Sequence, residues 1–218
     1  MNFTESEENY LKEIYHLETR SQRVSATLLS EAVQTKASSV TDMLKKLSAK
    51  KMVHYKPYQN FTLTDKGTAK ALEIIRKHRL WEYFLVSILG FSWKDVHPVA
   101  EQLEHISSNE LIQRLDDFLG NPAFDPHGDP IPDKNGKIEQ VQQASLLEIP
   151  LKVKKQVIAI GDQSAPMMDL LNHYQIGIGT TITIVRRFAM DDSLQIKIGN
   201  KQPIVLSGQI AKNIYCAK

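Results

Sequence analysis

The run Val96 to Arg114, VHPVAEQLEHISSNELIQR, carries His97, Glu101, Glu104 and His105. Read as one helix, it places residues three and four apart on a common face. Two imidazoles and two carboxylates along one stripe offer nitrogen and oxygen ligands to a divalent cation. A second fragment, His78-Arg-Leu-Trp-Glu82, spaces a His and a carboxylate by one helical turn. A His–Glu pair at that spacing also makes an ordinary surface ion pair, so neither fragment argues much alone. Together they predict a metal site built by two helices.

The elements that must position these groups follow from periodicity. Ser6 to Leu17 has amphipathic helix spacing at Tyr10, Leu11, Ile14, Tyr15 and Leu17, with Thr4 or Ser6 as cap. Residues 21–24 are a polar break. Ser25 to Val33 reads as a short helix, Gln34-Thr-Lys36 as a tight connection, and Ala37 to Met52 as a longer helix with Val40, Met43, Leu44 and Leu47 inward. Two helices joined by so few residues form a helix-turn-helix pattern. Alternation at Val53 and Tyr55, then at Phe61 and Leu63, predicts two strands around Pro57–Asn60 and so a wing. Thr64-Asp-Lys-Gly67 opens a helix to about Leu89, ended by Gly90. Asp95 is the expected cap of the stripe helix, which puts Pro98 in its first turn.

Asn121 to Ser145, rich in Pro, Gly and Asp, lacks periodicity and reads as a linking loop. Beyond it Val153–Ile160, Thr181–Arg187, Leu194–Ile198, Pro203–Leu206 and Gln209–Ile214 read as strands, with a helix near 166–173. Five short strands in about 70 residues suggest a small closed barrel. The fold class is therefore α+β multidomain: a winged helix-turn-helix over 1–70, a helical segment with a Pro-rich linker over 71–145, and a small β-barrel over 146–218.

Charge is segregated. Lys36 to Arg79 holds eleven Lys/Arg against three acids, a local net of +8, although the chain totals only +2. Trp81 to Ser145 holds eleven acids against four Lys/Arg, a local net of −7. A basic segment before an acidic one suits a polyanion-binding module joined to a cation-binding one. One cysteine, Cys216, excludes an internal disulfide framework and a multi-cysteine metal site. No apolar run approaches the roughly 20 residues of a membrane span, and the acidic N-terminus is not built like a signal peptide. A cytoplasmic protein with no membrane partner is expected.

The motifs Glu8-Asn-Tyr-Leu-Lys-Glu-Ile-Tyr15, Ser38-Ser-Val-Thr41, Leu63-Thr-Asp-Lys-Gly67, Lys77-His-Arg-Leu-Trp-Glu82, His97…Glu101-Gln-Leu-Glu-His105 and Asp125-Pro-His-Gly-Asp-Pro-Ile-Pro132 together resemble the diphtheria-toxin-repressor family of metal-dependent transcriptional regulators, and its manganese-sensing members in particular. The resemblance spans nearly the whole chain. It implies a winged helix, a helical metal-binding and dimerisation domain, and an SH3-like (FeoA-like) domain.

The resemblance implies a first metal site of Asn9, Glu101, Glu104 and His105. Iron-type members usually carry Cys where Glu101 stands, and a carboxylate there favours a harder ion, Mn²⁺ over Fe²⁺. Asn9 departs from the usual Asp, and Glu8, about 100° round the helix, is not expected to replace it. A second site would use His78, Glu82 and His97. Asp125 and His127 match ligand positions of some manganese-type members, and Asp162 or Gln163 is a loosely aligned completing ligand.

For DNA, the resemblance implies base contacts at Lys36, Ser38, Ser39 and Asp42, while Thr41 sits on the same small, hydroxylated helix start that can approach a major groove. Lys45, Lys46 and, in the wing, Lys56 are candidates for phosphate contacts, as are Lys50 and Lys51. The plainer reading of Ser38 and Ser39 is helix capping. The expected partners are palindromic operator DNA, a divalent metal and a second copy of the chain. Leu103, Ile106, Leu111 and Leu115 give the apolar side for a homodimer or for the core. The expected function is a non-enzymatic, metal-activated repressor of metal-uptake genes. Rival readings are a dinuclear metal hydrolase, for which no acid–base motif is found, a metal-independent winged-helix regulator, and a barrel that docks proline-rich peptides.

Overall fold

Thr4 and Glu7 start the first helix by capping each other. The Glu7 amide donates to Thr4 Oγ1 (3.3 Å) and the Thr4 amide to Glu7 Oε2 (2.9 Å), which satisfies two N–H groups that a helix start leaves open. The computed structural model describes residues 2–20, 24–57, 59–138, 142–162 and 164–217. Residues 21–23 of the expected polar break, Tyr58 of the expected turn and Gln163 lie outside them. Helix α1 runs Glu5–Arg20, α2 Ala26–Ala32 and α3 Ala37–Ala49. Ser25 caps α2 by accepting from the Leu28 amide. Strands β1 (Val53–His54) and β2 (Thr62–Leu63) pair antiparallel as the wing. The wing is pinned to α1 where Glu18 Oε1 accepts from the Leu63 amide at 2.8 Å. Leu11 and Ile14 of α1, Leu29 of α2, Val40, Leu44 and Leu47 of α3 and Phe61 share one buried core.

Helix α4 spans Asp65–Ser87. Its first turn presses against the turn that follows α3: a Cβ on Gly67 would lie 2.1 Å from the Met52 carbonyl oxygen. The expected single stripe helix is divided in two. Helix α5 is Trp93–Leu103, a turn follows, and α6 is Asn109–Phe118, so His105 stands beyond the end of α5. Ser108 starts α6 by accepting from the Leu111 amide at 3.2 Å. Two further expectations are corrected here. Pro98 lies inside α5 rather than in its first turn, and the residue before the helix is Ser92, whose hydroxyl donates to Asp95 at 2.6 Å.

The segment after α6 is not a loose linker. Asp125 to Gly128 is buried, Phe124 bridges Pro130, and the Ile131 amide donates to the Ala123 carbonyl. The Ile160 amide donates to the His127 carbonyl, and Gly128, at φ +91°, leaves no room for a side chain: a Cβ would sit 2.3 Å from Ala159 Cα.

The C-terminal sheet has six antiparallel strands rather than five: β3 (Gln143–Ser145), β4 (Lys154–Ile160), β5 (Thr181–Arg187), β6 (Leu194–Ile198), β7 (Ile204–Leu206) and β8 (Ile214–Ala217), in the order β3-β8-β4-β5-β6-β7. Helix α7 (Ala165–Tyr174) separates β4 from β5. Residues expected as a strand from Gln209 instead form a single helical turn, α8 (Gly208–Ala211), because Ser207 caps it through the Ile210 amide. Val157, Ile182, Ile196, Leu206 and Ile214 fill this sheet's core together with Leu171 of α7. The chain packs as two units: Met1–Trp81 with Val99–Phe118 and Pro132–Ile138, and Glu82–Pro98 with Leu119–Ile131 and Glu139–Lys218.

Candidate metal centre

In the first unit, residues of α1 meet the end of α5. His105 Nδ1 lies 2.7 Å from Glu8 Oε2, and Glu8 also pairs with Lys70 at 3.0 Å. Lys12 Nζ lies 2.6 Å from Glu104 Oε1 and 3.3 Å from Glu101 Oε1. The other oxygen of Glu104 is 2.5 Å from His78 Nδ1. Glu104 is wholly buried. Burial pushes its carboxyl up, but the His78 hydrogen bond and the Lys12 charge outweigh this and hold it below the usual carboxylate value. Burial raises Glu13 as well, with Glu101 and Glu104 adding to the rise against Lys12 and Arg20.

Glu101, Glu104 and His105 thus share one cluster with Glu8 and Lys12, of which the sequence did not flag Lys12; Asn9 stands on α1 between these two residues. Glu8, not expected to take the place of Asn9, pairs with His105. His105 lies past the end of α5, where the flexible Glu8 side chain of α1 reaches it. A lysine on an amphipathic helix reads as a solvated face, so nothing in the pattern marked Lys12. Asn9 Oδ1 is buried and, among the described residues, has no hydrogen-bond partner. A buried amide oxygen normally finds a donor or a cation. This orphaned acceptor stands between Glu8 and Lys12, the α1 residues that reach His105, Glu101 and Glu104, and as an oxygen ligand it suits a divalent cation held by oxygen and nitrogen.

In the second unit, His97 Nδ1 lies 3.2 Å from Glu82 Oε1, and His127 Nε2 lies 3.7 Å from the same oxygen. Glu82 and His127 are buried, whereas the His97 side chain is 60% exposed. Burial works against charge on His127, but Glu82, with Asp125 and Asp129, outweighs it and raises the imidazole pKa. Asp125 Oδ1 accepts from the His127 and Asp129 amides at 2.9 Å each, which fixes the loop that presents His127. His78 stands one turn before Glu82 on α4. Asp162 accepts from the Ser164 amide before α7.

On α3, Lys36 takes the N-cap position without a side-chain cap bond. Ser38 and Ser39 lie inside the helix and are exposed, as are Asp42, Lys45, Lys46 and Lys56. Thr41 bonds back to the Ala37 carbonyl, and Lys45 pairs with Asp42 at 3.2 Å.

Three family models match in sequence order: the N-terminal DNA-binding domain of iron dependent repressors over 2–61, their metal binding and dimerisation domain over 64–133, and the FeoA domain over 144–218. A solved manganese-dependent transcriptional repressor in complex with manganese is 31% identical, with TM-score 0.75, over 97% of this chain and 99% of that one. The chain belongs to the diphtheria-toxin-repressor family. Among curated relatives, the iron-dependent repressor IdeR of Mycobacterium leprae is 31% identical over 131 residues, and the diphtheria toxin repressor of Corynebacterium efficiens 30% over 131. Each match covers 60% of this chain and 57% of the relative, so the chain spans little more than half the length of these two. The family is one of metal-dependent repressors, not enzymes, and both manganese- and iron-dependent members are similar to this chain. No described helix is long and apolar enough to cross a membrane.

Proposed function

We propose that the chain is a metal-activated repressor of metal-uptake genes, acting as a cytoplasmic homodimer on palindromic operator DNA, with Mn²⁺ favoured over Fe²⁺. The observation that carries this reading is the orphaned, buried Asn9 Oδ1 on α1, between Glu8, which pairs with His105, and Lys12, which pairs with Glu101 and Glu104. The carboxylate of Glu101, in place of a thiolate, favours the harder ion. A second group of His78, Glu82 and His97, with Asp125, His127 and Asp162 as further candidates, is proposed from their matching positions. Support comes from the Glu82–His97 and Glu82–His127 approaches. The proposed division is 1–70 for DNA, 71–145 for metal and dimerisation, and 146–218 for the FeoA-like domain.

A bound divalent cation would supply the charge that holds these carboxylates and imidazoles in one arrangement. The protein's part is to connect that cluster to DNA. Glu8 and Lys12 reach the cluster from α1, and Leu11 and Ile14 of the same helix are packed against α3 in one core. A shift of α1 therefore moves α3, whose exposed Lys36, Ser38, Ser39 and Asp42 are the proposed base-reading residues, beside Thr41. Lys45, Lys46 and Lys56 are the proposed phosphate contacts. Metal activates by binding the DNA-competent state more tightly than the other.

The test is a gel-shift on the DNA upstream of its own gene, comparing Mn²⁺, Fe²⁺ and Zn²⁺ at one stated salt concentration. Mn²⁺ should tighten binding by at least about tenfold, within the usual range of allosteric coupling. Glu104→Ala should abolish that gain while the metal-free fold persists. Operator affinity indifferent to every metal would sink the reading.

A further inference from the structure

The Glu101–Glu104 pair already has a cation. Lys12 is 6% exposed, and its ammonium sits 2.6 Å from one oxygen of the fully buried Glu104 and 3.3 Å from Glu101. A buried carboxylate without a counter-charge is costly, and a buried ammonium equally so. Each here is the other's remedy. Glu104 is fully engaged, one oxygen by Lys12 and the other by His78. We propose that Lys12 is a resident counter-ion of the Glu101–Glu104 carboxylates, which fastens α1 without metal and which a divalent cation must displace.

The inference rests on the proposed metal site and adds a determinant of its affinity. A divalent cation drawing on Glu101 and Glu104 would compete with Lys12 for the same Oε1 atoms. Two cations on one pair of oxygens repel at short range. The lysine can yield, because its charge sits at the end of a flexible four-carbon stem and is readily solvated. In the exchange the singly charged ammonium would leave its two carboxylates for water, and a doubly charged cation would be held by them in its place. Lys12 therefore raises the metal concentration at which the switch operates. It also keeps α1 joined to residues 101 and 104 in the metal-free chain, beside the second tie from Glu8 to His105. The cluster never stands as bare, mutually repelling carboxylates.

The test uses the full chain and two readouts. Calorimetric titration with Mn²⁺ should show Lys12→Gln and Lys12→Met binding at least about tenfold tighter than the unaltered chain, with Lys12→Arg unchanged or weaker. Metal-free melting temperatures should fall for Gln and Met and hold for Arg. In the unaltered chain, pulse acetylation of lysines read by mass spectrometry should find Lys12 protected without metal. Saturating Mn²⁺ should increase its labelling several-fold; this arm stands even if a variant does not fold. Equal or weaker Mn²⁺ affinity in the Gln and Met variants, or Lys12 labelling that does not rise with Mn²⁺, overturns the inference while the metal-activated reading stands. Failure of the unaltered chain to bind Mn²⁺ at all overturns both.

Discussion

Glu8 and His105, 97 positions apart in sequence, meet at 2.7 Å with both side chains about 10% exposed. The same carboxylate takes Lys70 at 3.0 Å. One glutamate thus joins α1 to α4 and to the turn after α5. Neither partner can be solvated freely, so the pairing has structural weight that an exposed bridge would lack.

Glu8→Ala takes from His105 and Lys70 the carboxylate they share, leaving Lys70 with Glu73. Breaking a largely buried pair from one side costs more than the pair contributes, so a loss of about 2–4 kcal/mol is expected in metal-free protein. Urea denaturation checks it: the midpoint should fall while the slope stays constant. Glu8→Gln, which can still accept a hydrogen bond, should lose less.

Gly128→Val should be strongly destabilising, although the position lies in a segment that looks like a linker. Its φ of +91° disfavours any side chain, and a Cβ would meet Ala159 Cα at 2.3 Å and the Ile158 carbonyl oxygen at 2.5 Å. Because the His127 carbonyl is held by the Ile160 amide, displacing the loop also displaces His127. A melting temperature lowered by several degrees is expected, against no change for Gly90→Ala in its open surroundings beyond the strain of φ +72°.

Much of this architecture is legible where one local signal dominates. Strands β5 and β6 fall where alternation puts them, at Thr181–Arg187 and Leu194–Ile198, and Ser25 caps α2 as its type suggests. The break between α5 and α6 is not, because apolar spacing continues through Ile106 and Leu111 and no Gly or Pro interrupts it. The turn of α8 is missed for the opposite reason: four residues are too few for a period, and a serine cap decides the outcome. The site is legible only by residue type. Histidines and carboxylates announce themselves, whereas Lys12 becomes part of the site only because folding buries it among Glu101 and Glu104.

Cys216 should be chemically quiet. It lies buried on β8, between Ala144 and Val157 on the flanking strands, and burial pushes its thiol up to about 11, only slightly offset by Lys155. Only the thiolate attacks disulfide reagents or alkylating agents, so labelling at pH 8 should be slow in folded protein and rapid in urea. The sign of the linked stability follows. Between the unfolded value of 9.0 and about 11 the folded state holds the proton that the unfolded state has released, so stability falls as pH rises through that window. Cys216→Ala should flatten this slope, as measured by denaturation at pH 8, 9 and 10.

Lys45 and Ser38 occupy the same exposed face of α3 but should fail differently when replaced. The Lys45–Asp42 bridge joins side chains 61% and 71% exposed, and such a bridge contributes little and opens easily. Its ammonium is therefore available to a phosphate. Each phosphate neutralised releases counterions, so Lys45→Ala or Lys46→Ala should weaken binding to all DNA alike and lower the slope of log affinity against log salt by about 1. Ser38→Ala removes no charge. If Ser38 reads a base edge, its loss leaves the salt slope intact and costs about 1–3 kcal/mol only against the cognate sequence. Fluorescence anisotropy on operator and scrambled duplexes across a salt series separates the two. A uniform loss for Ser38→Ala would move that residue from base reading to backbone positioning.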